Sequence, residues 1–101
     1  MAHVLGRLSG ARFEDIKRIL KADAAKHAEQ GLHLRHIWRN MDDPSEVLFI
    51  FQTNDLNHAR KFIDTIHMQA SKENPQANLP QMTYLDDTDE ERIDSIRLNR
   101  R

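Results

Sequence analysis

The chain has 101 residues, 31% charged and 39% hydrophobic with little glycine or proline, a composition typical of one globular domain and not of a disordered chain. Its 15 basic and 16 acidic residues leave a formal net charge of −1, and no basic stripe interleaved with aromatic residues is present, so nucleic acid is not an expected partner. The absence of cysteine excludes disulfides and thiolate metal sites. No apolar run reaches the length of about 18 residues that spans a bilayer, and no signal-peptide pattern is visible. We therefore expect a cytoplasmic protein and no membrane contact.

The first half of the chain predicts a strand and then a helix. Residues 3–8 are a β-prone run that stops at a turn signal, Ser9-Gly10. Between residues 11 and 30, apolar side chains recur at spacings of three and four, which indicates one amphipathic helix that Gly31 ends as a C-cap. Its apolar stripe consists of Phe13, Ile16, Ile19, Leu20, Ala24 and Ala28.

The second half predicts a hairpin, a helix and a last strand. Residues 34–41 and 46–53 are β-prone, and Pro44 between them suits the first central position of a type I turn. Asn54 or Asp55 can cap a second helix, which fades near residues 73–75. Its apolar stripe consists of Leu56, Ala59, Phe62, Ile63, Ile66 and Ala70. Residues 81–85 supply the fourth strand.

This order predicts an α+β, ferredoxin-like βαββαβ fold with a four-stranded antiparallel sheet over residues 1–87, and a charged tail, frayed or a short helix, over 88–101. Two helices cover only one face of such a sheet. Phe49 and Phe51 alternate with Leu48 and Ile50, so large apolar side chains occupy both faces, although the alternation does not say which set faces the helices. We therefore expect a homodimer that closes two open faces into a dimeric α/β barrel.

Several segments resemble a known family. They are residues 38–47 (WRNMDDPSEV), Phe49, Phe51, 55–56 (DL) and 59–62 (ARKF), with 1–5 (MAHVL) and 82–85 (MTYL) fitting the same pattern. Together they resemble small members of the dimeric α/β barrel superfamily, in its antibiotic-biosynthesis-monooxygenase-like group. The resemblance covers about residues 1–87 and implies the fold and the dimer.

The resemblance implies no single reaction. The superfamily includes cofactor-free oxygenases, isomerases, muconolactone-type enzymes and haem-degrading enzymes, and a fold alone does not fix a function. Haem-degrading members carry an asparagine on the first strand, where this chain reads Gly6-Arg7-Leu8, and a tryptophan on the third strand, where it has none. These departures argue against haem degradation.

Histidines are the candidate proton-handling groups, since imidazole titrates near neutral pH. Asp23 and His27 lie four apart on the first helix, so the carboxylate could orient the imidazole as a general base; a core-edge histidine near a helix end is the alternative. His67 flanks the stripe of the second helix. His36 forms an HxxH pair with His33, but strand residues three apart point to opposite faces, so no metal site is predicted.

Arg7, Trp38, Asn40, Phe49, Phe51 and Tyr84 are the candidate ligand-binding residues. Those that share a face could line a ligand site or serve as dimer contacts. Arg7 or Asn40 could stabilise a developing anion. The leading hypothesis is a protein that binds a small apolar or aromatic ligand between sheet and helices and acts, without a cofactor, as a monooxygenase or isomerase. A non-enzymatic dimeric structural or interaction module is the alternative, and haem or metal binding is the third.

Overall fold

The computed structural model describes residues 1–91 and residue 93. Its elements are β1 (Ala2–Leu8), α1 (Phe13–Ala22), α2 (Ala24–Glu29), β2 (His33–Arg39), β3 (Val47–Thr53), α3 (Leu56–Glu73) and β4 (Gln81–Leu85). The predicted βαββαβ order is confirmed, with the first helix in two pieces. Most of the predicted tail, 88–101, lies outside the described residues.

The four strands form one antiparallel sheet in the order β2-β3-β1-β4. The two central strands, β1 and β3, pair over their whole length, with Val4 opposite Phe51 and Leu8 opposite Val47. On the other side of β1, Val4 faces Tyr84 of β4. This is the predicted α+β, ferredoxin-like architecture.

Burial alternates along the central strands and separates the two faces of the sheet. On β3, Val47, Phe49 and Phe51 are at most 4% exposed, while Leu48 and Ile50 between them are only half-buried. The helices pack on the first set, because α1 contributes Ile16 and Leu20 and α3 contributes Phe62 and Ile63 to the same core. We call this the covered face, and the opposite one the open face.

The prediction of one continuous helix over residues 11–30 is wrong, because the helix is interrupted at Asp23. Asp23 has φ −96° and ψ 4°, which takes one residue out of the helical range between α1 and α2. Aspartate is a poor residue for a helix interior because its side chain competes for backbone groups. Both pieces nevertheless contact β2, so α2 extends the cover over the sheet.

Local turn and capping signals were predicted correctly. The Asp55 carboxylate accepts a 3.0 Å hydrogen bond from the backbone N–H of His58 and caps α3. Gly31 follows α2 at φ +79°, a conformation that favours glycine. Pro44 follows Asp43, whose carbonyl accepts a 2.9 Å bond from the backbone N–H of Glu46. Such bonds fix where each element starts and ends, and with that the sheet register.

Within the described part of the chain, no helix combines the length and the apolar character that a membrane crossing requires.

Candidate functional site

A small cavity of about 190 Å³ lies between the helices and the covered face. Its apolar walls include Leu20, Leu32, Phe49, Phe51, Phe62 and Ile63. Three titratable side chains also line it: Asp23, His27 and His67. The interruption at Asp23 and the first turn of α2 supply two of these groups, and α3 supplies the third. Apolar walls with a few convergent polar groups are typical of a small-molecule site.

His27 is held in the cavity wall by aromatic neighbours. Its ring meets Phe51 edge-on at 5.4 Å between centroids and Phe62 edge-on at 6.4 Å. Its Nδ1 atom is buried and has no hydrogen-bond partner among the described residues. A buried polar atom without a partner costs about 1–3 kcal/mol, so a small rearrangement that gives this nitrogen a hydrogen-bond partner would be stabilising.

Burial lowers the pKa of His27, while the negative charge of Asp23 opposes that shift in part. Burial removes water from the imidazolium form, which is why the neutral ring is favoured. No hydrogen bond joins Asp23 to the His27 ring in the described structure. Asp23 therefore acts on His27 through its charge and through its place at the helix interruption.

His67 brings a second imidazole to the cavity from α3. Burial lowers its pKa below the ordinary value of 6.5, and the charge of Asp64, one turn earlier, opposes the shift. Two imidazoles that are neutral at pH 7 therefore face one apolar space. Both can accept a proton there.

Gly6 shapes the cavity, a role that the sequence analysis missed. A Cβ atom on Gly6 would lie 2.2 Å from Cε2 of Phe49, so the phenyl ring lies directly over the backbone of β1. Phe49 is 4% exposed and lines the cavity. Glycine within a strand signals close approach of another group, and that signal was available in the sequence.

The open face holds a different set of the predicted residues. His36 and Trp38 stack there with ring centroids 5.1 Å apart and an angle of 19°. In the sheet, Leu48 of β3 lies between Trp38 of β2 on one side and Arg7 of β1 on the other. These side chains are therefore separated from the cavity by the sheet itself.

An ionic network closes one end of the open face. The Arg7 guanidinium donates to Oε2 of Glu46 at 2.7 Å, and the Asn40 amide donates to Oε1 at 2.7 Å. Hydrogen bonds from Asn40 and then Arg7 lower the pKa of the Glu46 carboxyl. Arg7 and Asn40 thus hold a buried carboxylate in place, and neither lines the cavity.

Tyr84 lies on the covered face but outside the cavity. The Arg60 guanidinium carbon lies 4.5 Å from the centre of its ring. Its hydroxyl is buried and has no partner among the described residues, and burial raises its pKa. Tyr84 packs at one end of the core beside α3.

The structure therefore divides the sequence-predicted site residues into two groups. Asp23, His27, His67, Phe49 and Phe51 meet at the cavity. His36, Arg7, Trp38 and Asn40 lie on the open face, and Tyr84 packs beside Arg60. Within the described residues, no cluster of three or more histidine and carboxylate side chains could hold a metal ion.

Comparison with solved structures finds the same fold in a crystal structure from Deinococcus radiodurans, of a protein named as a candidate antibiotic biosynthesis monooxygenase. The TM-score is 0.57 at 16% sequence identity, and the match covers 85% of this chain and 91% of that chain. No protein-family model matches the sequence, and neither does any curated protein sequence. The resemblance predicted from the sequence is thus confirmed at the level of the fold.

Proposed function

We propose that this protein binds a small apolar or aromatic molecule in the cavity and acts on it by proton transfer, without a cofactor. The observation that carries this proposal is the convergence of Asp23, His27 and His67 on one apolar cavity. Burial of charged and polar groups beside apolar walls is unfavourable unless they are paired, and titratable groups with shifted pKa values in a cavity are candidates for a functional site, which supports the proposal.

The size of the cavity limits the ligand. At about 190 Å³ it exceeds the roughly 150 Å³ of an engineered apolar cavity that holds benzene, and it is smaller than the roughly 300–1,000 Å³ of sites for drug-sized molecules. A ligand with one ring fits this space. A haem does not, which agrees with the departures from the haem-degrading pattern.

The chemistry follows from the neutral imidazoles. His27 or His67 accepts a proton from an acidic C–H or O–H bond of the ligand, and the negative charge of Asp23 stabilises the imidazolium that forms at His27. Returning the proton to a different carbon completes an isomerisation. In a monooxygenation, the ligand carbanion instead adds dioxygen and takes up a proton to form a hydroperoxide. Its O–O bond then breaks with loss of water and leaves a carbonyl group, so that the ligand itself supplies the electrons. Monooxygenase is the activity in the name of the structural neighbour.

Ligand binding is tested with toluene, a single apolar ring. We expect toluene to shift the methyl NMR signals of Leu20, Leu32 and Ile63 at the cavity, and to leave the indole signal of Trp38 on the open face unchanged. Ile66→Phe should block binding by filling the cavity mouth, because Ile66 lines the cavity and is 39% exposed. Met68→Phe is the matched control on the same helix, outside the cavity. Equal shifts in both variants would contradict the site.

Proton transfer is tested with acetophenone in D₂O, because its methyl C–H bonds beside the carbonyl exchange only when a base removes a proton. The protein should accelerate deuterium incorporation over buffer, and His27→Leu or His67→Leu should remove the acceleration without lowering the melting temperature. Toluene binding without any acceleration would favour the non-enzymatic alternative.

We further propose that the protein is a homodimer that covers the open face. Trp38 is 45% exposed and Leu85 41% exposed on this face, with Leu5, Leu48 and Ile50 half-buried between them. Leaving such side chains in water forfeits roughly 1.5–3 kcal/mol each relative to full burial. In a dimer with two-fold symmetry, this patch on one protomer would be buried against the same patch on its partner.

Native mass spectrometry tests the dimer and any bound molecule together. The wild-type chain should appear as a dimer, and Trp38→Glu should convert it to monomers. Met41→Glu is the control, because Met41 is 90% exposed in the hairpin turn next to the sheet. A monomeric wild type would contradict the proposal.

A further inference from the structure

We infer that the cavity selects a neutral single-ring ligand that carries a hydroxyl group, and that it rejects carboxylates. This inference rests on the proposed function and adds the chemical class of the ligand. It comes from the charges and hydrogen-bonding groups in the cavity wall, which act independently of its size.

The side chains that line the cavity disfavour the binding of an anionic ligand. Among the residues that the structure describes, the side chains that line the cavity include no lysine and no arginine, and they include the carboxyl group of Asp23. The two imidazoles that could neutralise an anion are held in the neutral form by burial. A ligand carboxylate would thus lose its water, find no cation and lie near a carboxylate of the protein, which makes its burial unfavourable.

Hydrogen bonding in the wall favours a hydroxyl. A neutral imidazole has one nitrogen that donates and one that accepts, and Asp23 only accepts. Nδ1 of His27 is buried and has no partner among the described residues, so a small rotation of the imidazole ring that brings it to the cavity is compensated by a new hydrogen bond. A ligand hydroxyl both donates and accepts, and it therefore pairs with a ring nitrogen of His27 in either tautomer. A hydrocarbon of the same shape cannot.

The hydroxyl preference is tested with phenol and toluene, which have the same shape and differ in one group. At about pH 8, above the ordinary histidine pKa of about 6.5, phenol should bind roughly two- to tenfold more tightly than toluene, the effect of one net hydrogen bond. His27→Leu should abolish this ratio and still bind toluene, because leucine keeps the wall apolar. His58→Leu is the control: His58 is exposed, with its Nε2 3.0 Å from Oε1 of Gln30, and it does not line the cavity.

Charge rejection is tested with benzamide and benzoate at the same pH. Benzoate should bind at least about a hundredfold more weakly than benzamide, since it must be buried as an anion. Asp23→Asn has almost the same volume and removes the negative charge, so it should raise the affinity for benzoate relative to the affinity for benzamide. A ratio of the two affinities equal to that of the wild type would contradict the inference.

The outcomes separate the inference from the proposed function. Equal affinities for phenol and toluene, or for benzoate and benzamide, would overturn the inference while leaving a binding cavity in place. Failure of toluene, phenol and benzamide alike to shift the cavity signals would overturn both.

Discussion

The two faces of the sheet differ in exposure and in polarity, although the same strands form both. On the covered face, Val4, Phe49 and Phe51 are at most 4% exposed, and the two phenylalanines line a cavity together with residues of the helices. On the open face, Trp38 and Leu85 are more than 40% exposed, and Arg7, Asn40 and Glu46 form a polar network. The difference shows that a shift of one residue along a strand moves a side chain from the core to the open face.

The histidines on the two faces also differ in their surroundings. The histidines on the covered face, His27 and His67, lie in apolar surroundings that lower their pKa. His36 on the open face stacks on exposed Trp38. Among the described residues, the covered face brings two histidines to an apolar cavity, which is where the proposed site lies, and the proposed contact between copies lies on the open face.

The largest expected effect is a loss of stability, and it should differ between a residue on the covered face and one on the open face. Phe49→Ala should lower the free energy of unfolding by about 3–5 kcal/mol, because it removes a buried ring and leaves a cavity. The proposed dimer predicts that Trp38→Ala lowers the unfolding midpoint mainly at high protein concentration. Urea denaturation at two protein concentrations measures both. Equal, concentration-independent losses would show that the two faces contribute to the same core.

A smaller effect tests how the cavity is shaped. Gly6→Ala should lower the free energy of unfolding by about 1–3 kcal/mol, because the new methyl group collides with the buried ring of Phe49. Thermal denaturation measures the loss. The double variant Gly6→Ala with Phe49→Leu should lose less than the sum of the single variants, since leucine has no ring over β1. Strict additivity would contradict the contact.

The smallest effect is the pH dependence. Burial lowers the pKa of His27 and His67 in the folded state, so the unfolded chain binds more protons just below pH 6.5. The free energy of unfolding should therefore fall as the pH falls below about 6.5. His27→Gln with His67→Gln should flatten this part of the profile. Losses that begin only at the lower pH where Glu46 titrates would contradict the assignment.

Much of the fold could be predicted because its signals are local. Asp55, Pro44 and Gly31 act through neighbours within a few residues, and the cap, turn and helix end predicted from them are confirmed. The interruption at Asp23 was missed because an apolar stripe continues across it and spacing alone does not show a break. The role of Gly6 was missed because it depends on Phe49, a residue on another strand.

The sequence by itself determined the order of the elements, the antiparallel sheet and the presence of large apolar side chains on both of its faces. Only the tertiary structure decided which set faces the helices, and with it which of the predicted site residues meet. Pairing of β1 with β3 fixes which side chains share a face, and it joins residues that are distant in the sequence, such as Val4 and Phe51. Periodicity reports the direction of a side chain relative to its own strand, whereas burial depends on what packs above that strand.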